Sequence, residues 1–95
     1  TDEEFAIYQI LTENNAATED LGDSVLKALA FELTDKLRKS AIINWQNRKV
    51  SRAKMNAMVK FFMKKYSYSA DNEIEVTEKI LTQAELLADE WAFEV

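Results

Sequence analysis

The sequence predicts an all-α fold, a small bundle of about four helices, and three observations lead there. Its 95 residues include no Pro and one Gly, Gly22, so helix breakers are almost absent and a strand-rich fold with many turns is disfavoured. The apolar side chains recur at intervals of three and four, which is the period of one helix face. Hydrophobic residues make up 47% of the chain, with enough Phe, Trp and Tyr to fill a modest core, so this is no disordered tail. One domain over residues 1–95 is expected, and it is read as an excised piece of a longer subunit because it starts at Thr1 rather than Met.

The first helix is expected over residues 3–13, with Phe5, Ile7, Tyr8, Ile10 and Leu11 as its apolar content. ENNAATED then reads as a loop, because Asn and Thr side chains compete with the helical backbone for hydrogen bonds. A second helix should begin between Asp20 and Ser24, with Leu26, Leu29, Leu33 and Leu37 as one buried stripe. Glu32 with Lys36 and Asp35 with Lys39 are acid-to-base pairs four apart, suited to an exposed face. In SAIINWQNRKVS, Ser40 and residues 44–47 read as a helix end and connection, anchored by Ile42, Ile43 and Trp45. A third helix is expected over residues 49–66. The fourth is expected to be capped by Asp71 or Asn72 and to bury Val76, Ile80, Leu81, Ala84, Leu87, Ala88 and Trp91.

Composition narrows the chemistry. With no Cys there is no disulfide framework or thiolate metal site, which fits a reducing, cytoplasmic setting. With no His, the commonest metal ligand and general base is missing. No apolar run is long enough to span a bilayer, so no membrane association is expected. Gly-rich phosphate loops, nucleophile–base pairs and metal signatures are absent as well, and the chain by itself is expected to catalyse nothing and to hold no cofactor. Glu78, Glu85, Asp89 and Glu90 read as a solvated helix face rather than a cation site. Met55, Met58 and Met63 read as core filler, and Trp45 and Trp91 as packing.

Charge is the feature that asks for an explanation. The chain carries a net charge of -5, yet no acid occurs from Lys36 to Ala70, and only Lys27 and Lys79 are basic outside that window. On a wheel of the third helix, Met55, Met58, Val59, Phe62, Met63 and Tyr66 fall on the core side. Lys49, Lys54, Lys60, Lys64 and Lys65 fall mostly opposite, with Ala53, Ala57 and Phe61 among them. Two readings remain open for Arg48, Lys49, Arg52, Lys54, Lys60, Lys64 and Lys65. They meet DNA phosphates, gaining affinity from counterion release, or they neutralise the acidic neighbours within the fold. Phe61, a large aromatic on a charged face, is a candidate anchor for a partner and is compatible with either.

From Asn44 onward the chain resembles a known family, the C-terminal end of the motor and restriction subunit of type I restriction-modification enzymes. Members tend to show an acid or amide before Trp, then Arg, RAKM, Val-Lys, a basic cluster ending in Tyr-x-Tyr, and later Gln-Ala-Glu. Here these are Asn44-Trp45, Arg48, Arg52 to Met55, Val59-Lys60, Lys64 to Tyr66, Tyr68, and Gln83 to Glu85, with FELTDKLRKS as the segment that precedes the Trp. The sequence departs from the family in having Ser69-Ala70 where Pro-Pro is usual, and Phe61, Phe62 and Met63 where Arg and Leu are favoured. The resemblance implies a module that docks the motor subunit onto the methyltransferase (modification) subunits and lies near DNA. It implies a parent that cleaves DNA after ATP-driven translocation, with ATP and Mg used upstream of these residues. The alternatives are a free-standing helical DNA-binding domain and a generic helical protein-interaction domain.

Overall fold

Each stretch with the three-and-four period becomes a helix. The computed structural model describes residues 2–44, 48–68 and 73–93, and the side chains of these apart from 15, 16, 43, 44, 48, 92 and 93. Helix α1 spans Asp2–Thr12, α2 Asn15–Leu21, α3 Asp23–Asn44, α4 Arg48–Lys65 and α5 Glu73–Phe93, with no strand among the described residues. The all-α class is as expected, with four longer helices and one short one.

The short helix corrects the reading of ENNAATED as a loop. Asn14 does compete for backbone hydrogen bonds, but as a cap: its side chain accepts from the Ala17 N–H at 2.8 Å. The Thr18 hydroxyl donates to the Asn14 carbonyl at 2.9 Å, and Ala17 is buried. Helix α2 ends at Gly22, whose φ of 82° and ψ of 164° suit only glycine, although a Cβ there would meet nothing within 4 Å. A second correction concerns Ser40, which does not end a helix: α3 continues through Asn44, and Ser40 and Ala41 are buried in its stripe. Of the expected anchors, Ile42 packs on the core, while Trp45 and the side chain of Ile43 lie outside the described residues. So does the expected cap at Asp71 or Asn72.

Helix α3 is the hub, packing on each of the other four. Helices α1, α3, α4 and α5 form the bundle, with α3 and α5 in contact across its middle and α1 and α4 not touching. Leu26, Leu29, Leu33 and Leu37 are fully buried, as expected, and truncating one of them to Ala costs about 2–5 kcal/mol. Ile7, Leu11, Met55, Val59, Met63, Ile80, Ala84 and Trp91 complete the same core, with Met58 and Leu87 half-buried. Phe5, named with the apolar content of the first helix, is 58% exposed, because Ile7 and Leu11 occupy the inward side of α1. The radius of gyration is 12.7 Å, against about 12.4 Å for a packed chain of this length.

The end of α4 is fixed by hydrogen bonds. Tyr68 N–H bonds to the Met63 carbonyl at 2.8 Å and Ser67 N–H to the Lys64 carbonyl at 3.1 Å, around Ser67 with φ of 57°. This reversal turns Tyr68 inward, where its hydroxyl donates to the Leu11 carbonyl at 2.8 Å. The last turn of α4 is thereby tied to the end of α1, although the two helices do not pack together.

Candidate functional site

Among the described residues α4 packs only on α3 and α5, and one side of it is exposed. On the α3 side lie Phe62 and Lys65; on the α5 side lie Arg52, Asn56 and Met63. The 100° step per residue then puts Val50, Ala53, Ala57, Phe61 and Lys64 on the outward ridge, and all five are exposed.

The basic residues expected to act together divide into two groups. Arg52 is bound inside the fold: its guanidinium reaches Glu78 at 2.8 Å and Glu85 through a second hydrogen bond. The bond to Glu85 is the main reason that its pKa is held above the usual value, against the cost of burial, with Glu78 adding to it. Lys65 bonds to both carboxylate oxygens of Glu32, at 3.1 and 3.2 Å, and its ammonium stands 5.5 Å from the Phe62 ring and 5.6 Å from the Tyr66 ring. Lys54 is also engaged by a neighbour. The side chain of Arg48 lies outside the described residues. Lys49, Lys60 and Lys64 are exposed and make no ion pair among the described residues.

Lys60 and Lys64 stand beside Phe61, which is 63% exposed, and Lys49 lies about three turns back along the helix. Its ring is held edge-on against the buried Phe62, with centroids 5.1 Å apart and planes at 81°. The exposed aromatic is therefore seated rather than loose. The predicted anchor and three of the seven predicted cations are brought together on one face, and Arg52 and Lys65 are drawn away from it.

The internal clamp was missed in the sequence. Glu78 and Glu85 were read as solvated, although their spacing of seven puts them on one side of α5 with room for a guanidinium between them. Of the two acid-to-base pairs expected on α3, Asp35 with Lys39 forms at 3.1 Å, while Glu32 turns to Lys65. A second exposed aromatic group was also missed. Phe5 stacks on Tyr8 at 6.3 Å beside a groove between α1 and α3 lined by Glu4, Lys27 and Ala30, and the neighbouring Phe31 is 58% exposed. At the mouth of that groove the Tyr8 hydroxyl bonds to Asp23, which also pairs with Lys27 at 3.0 Å. Among the described residues there is no cluster of carboxylates that could hold a metal ion, and no helix is long and apolar enough to cross a membrane.

The family described as type I restriction enzyme HindI endonuclease subunit-like, C-terminal, matches residues 1–90. The type I restriction enzyme HindI endonuclease subunit of Haemophilus influenzae (strain ATCC 51907 / DSM 11121 / KW20 / Rd) is 39% identical over 90 residues. That match covers 95% of this chain and 8% of the relative, so the chain spans a small part of the relative's length. No solved structure matches.

Proposed function

We infer the function from one premise: this chain belongs to the family of C-terminal regions of HindI-like endonuclease subunits of type I restriction enzymes. The chain is then a helical assembly module without catalysis of its own, which docks the parent endonuclease subunit onto the methyltransferase core and lies near DNA. DNA cleavage and ATP-driven translocation, with the ATP and Mg they use, belong to the rest of the parent. Family membership favours this reading over a free-standing DNA-binding domain or an unrelated interaction domain.

One observation supports docking above all: Phe61, seated against Phe62 and beside Lys60 and Lys64, is exposed on the open side of α4. Buried aromatics supply most of the energy of a protein interface, and rim lysines little. Phe61→Ala in the parent subunit is expected to weaken assembly with the methyltransferase by roughly 30-fold, the equivalent of a 2 kcal/mol hot spot. Helicity and melting should not change, because the side chain is outside the core. Assembly at wild-type affinity would move the docking face elsewhere. The second reading, contact of this face with DNA phosphates, is supported by Lys49, Lys60 and Lys64, which have no ion pair among the described residues, and such contact would carry no sequence preference.

A further inference from the structure

The outward ridge of α4 has a relief that the exposed aromatic alone does not convey. Val50 and Phe61 stand at its two ends, 41% and 63% exposed, and the exposed Ala53 and Ala57 lie between them. Eleven residues separate the ends, so the low stretch lies within a ridge of about 16 Å, three helical turns. Two alanines in the middle and a large side chain at each end make a saddle. Interaxial distances between packed helices run from about 8 to 10 Å according to the side chains at the contact, and alanines permit the short end of that range.

The charges beside the saddle fit the same picture. Lys49 and Lys60 lie along its α5 side and Lys64 at its far end, none with an ion pair among the described residues. Three acids of the neighbouring helices are committed elsewhere, Glu78 and Glu85 to Arg52 and Glu32 to Lys65, while Glu73 lines the groove beside Lys60 without an ion pair to it among the described residues. The fold thus leaves a strip of cations next to an apolar seam, none with an ion pair among the described residues.

We propose that this saddle receives a single amphipathic helix of another subunit of the complex, at least three turns long, with apolar side chains over Ala53 and Ala57 and a row of Asp or Glu facing Lys49, Lys60 and Lys64. The proposal rests on the docking reading above and specifies the partner's chemistry. A duplex would satisfy the lysines but leave Phe61, Val50 and the alanines in water. An acidic-edged helix, about 10 to 12 Å across, covers the seam and pairs the cations together.

The test uses the parent subunit and its methyltransferase. Ala57→Trp fills the saddle, and the double variant Lys60→Glu with Lys64→Glu reverses the strip; all three positions are exposed, so both proteins should keep wild-type helicity and melting. Each is expected to weaken assembly by about tenfold or more, and the double variant should lose the salt dependence of the wild type. A benzoylphenylalanine photo-crosslinker in place of Phe61, where a large aromatic already stands, should capture a methyltransferase segment of helical period with acidic flanks. If Phe61→Ala weakens assembly but these variants assemble normally, the acidic helix is overturned and docking stands. If Phe61→Ala also assembles normally, both fall. If the lysine variants assemble normally but the complex loses DNA retention, or if the crosslink is to DNA, the face belongs to DNA and the proposal is overturned.

Discussion

Tyr68 shows how much one residue can settle. Its ring is buried and its hydroxyl is spent on the Leu11 carbonyl, which otherwise has no helical partner at the end of α1. Burial, with a smaller push from Glu13, raises its pKa from 10.0 to about 12. A folded-state pKa above the unfolded one means that the native state resists ionisation. The stabilising effect is complete below pH 10.0 and is lost as pH rises toward about 12. The loss should be on the order of 2 kcal/mol, since each tenfold weakening of the phenol's acidity on folding is worth about 1.4 kcal/mol. Urea midpoints measured across that interval should fall in the wild type. In Tyr68→Phe they should start lower, by about 1 kcal/mol for the lost hydrogen bond, and lack this alkaline component. An equal alkaline fall in both proteins would place the titrating group elsewhere. Ser67 is the neighbouring compromise, a non-glycine residue at φ of 57° that lets the chain reverse and bring Tyr68 inward.

Between elements, the clearest electrostatic device is the Arg52 clamp, which joins α4 to two carboxylates of α5 that lie about two turns apart. Its partners are substantially exposed, 60% for Glu78 and 38% for Glu85, so the gain from each pair is limited to about 0–1 kcal/mol. Arg52→Ala is therefore expected to cost about 1 kcal/mol at low salt. The difference from wild type should narrow in roughly 1 M salt, where the screening length is about 3 Å. Paired urea titrations at the two ionic strengths check this. A salt-independent loss would mean that the aliphatic stem of Arg52, packed between the helices, matters more than its charge. The clamp's larger role is selection: by engaging Arg52 and the two carboxylates, it determines which cations of α4 remain available outside.

For the molecule as a whole, that selection limits what the basic block can do. Seven cations on phosphates would give a salt slope of roughly 6, whereas Lys49, Lys60 and Lys64, which make no ion pair among the described residues, contribute roughly 2.7, at about 0.9 per contact. The net charge of -5 opposes the approach of DNA as well. The isolated chain is expected to bind duplex DNA weakly, with no sequence preference and a slope of about 2.7 in a titration against salt. A slope of roughly 6 would mean that the Arg52 and Lys65 pairs open on binding. The question raised by the charge pattern thus has a divided answer: part of the block neutralises its own flanks and part faces outward.

What the sequence determined by itself was helical class, the core stripes and the two faces of α4, because helix period and side-chain polarity act over a few residues and need no knowledge of the partner. Leu26, Leu29, Leu33 and Leu37 are buried for that reason, and Phe61 could be singled out for the same one. Helix α2 escaped notice because capping by Asn14 and a loop draw on the same competition for backbone hydrogen bonds, and only the full turn shows which one wins. The identity of each ion pair was decided by tertiary structure alone. Glu32 has Lys36 four residues away but meets Lys65, and Arg52 is 26 and 33 residues from its two acids. Such partners are set by how α3, α4 and α5 pack. A long charged side chain pairs with whichever opposite charge the packing brings within reach, so the sequence could supply the cations but not say which of them would remain free.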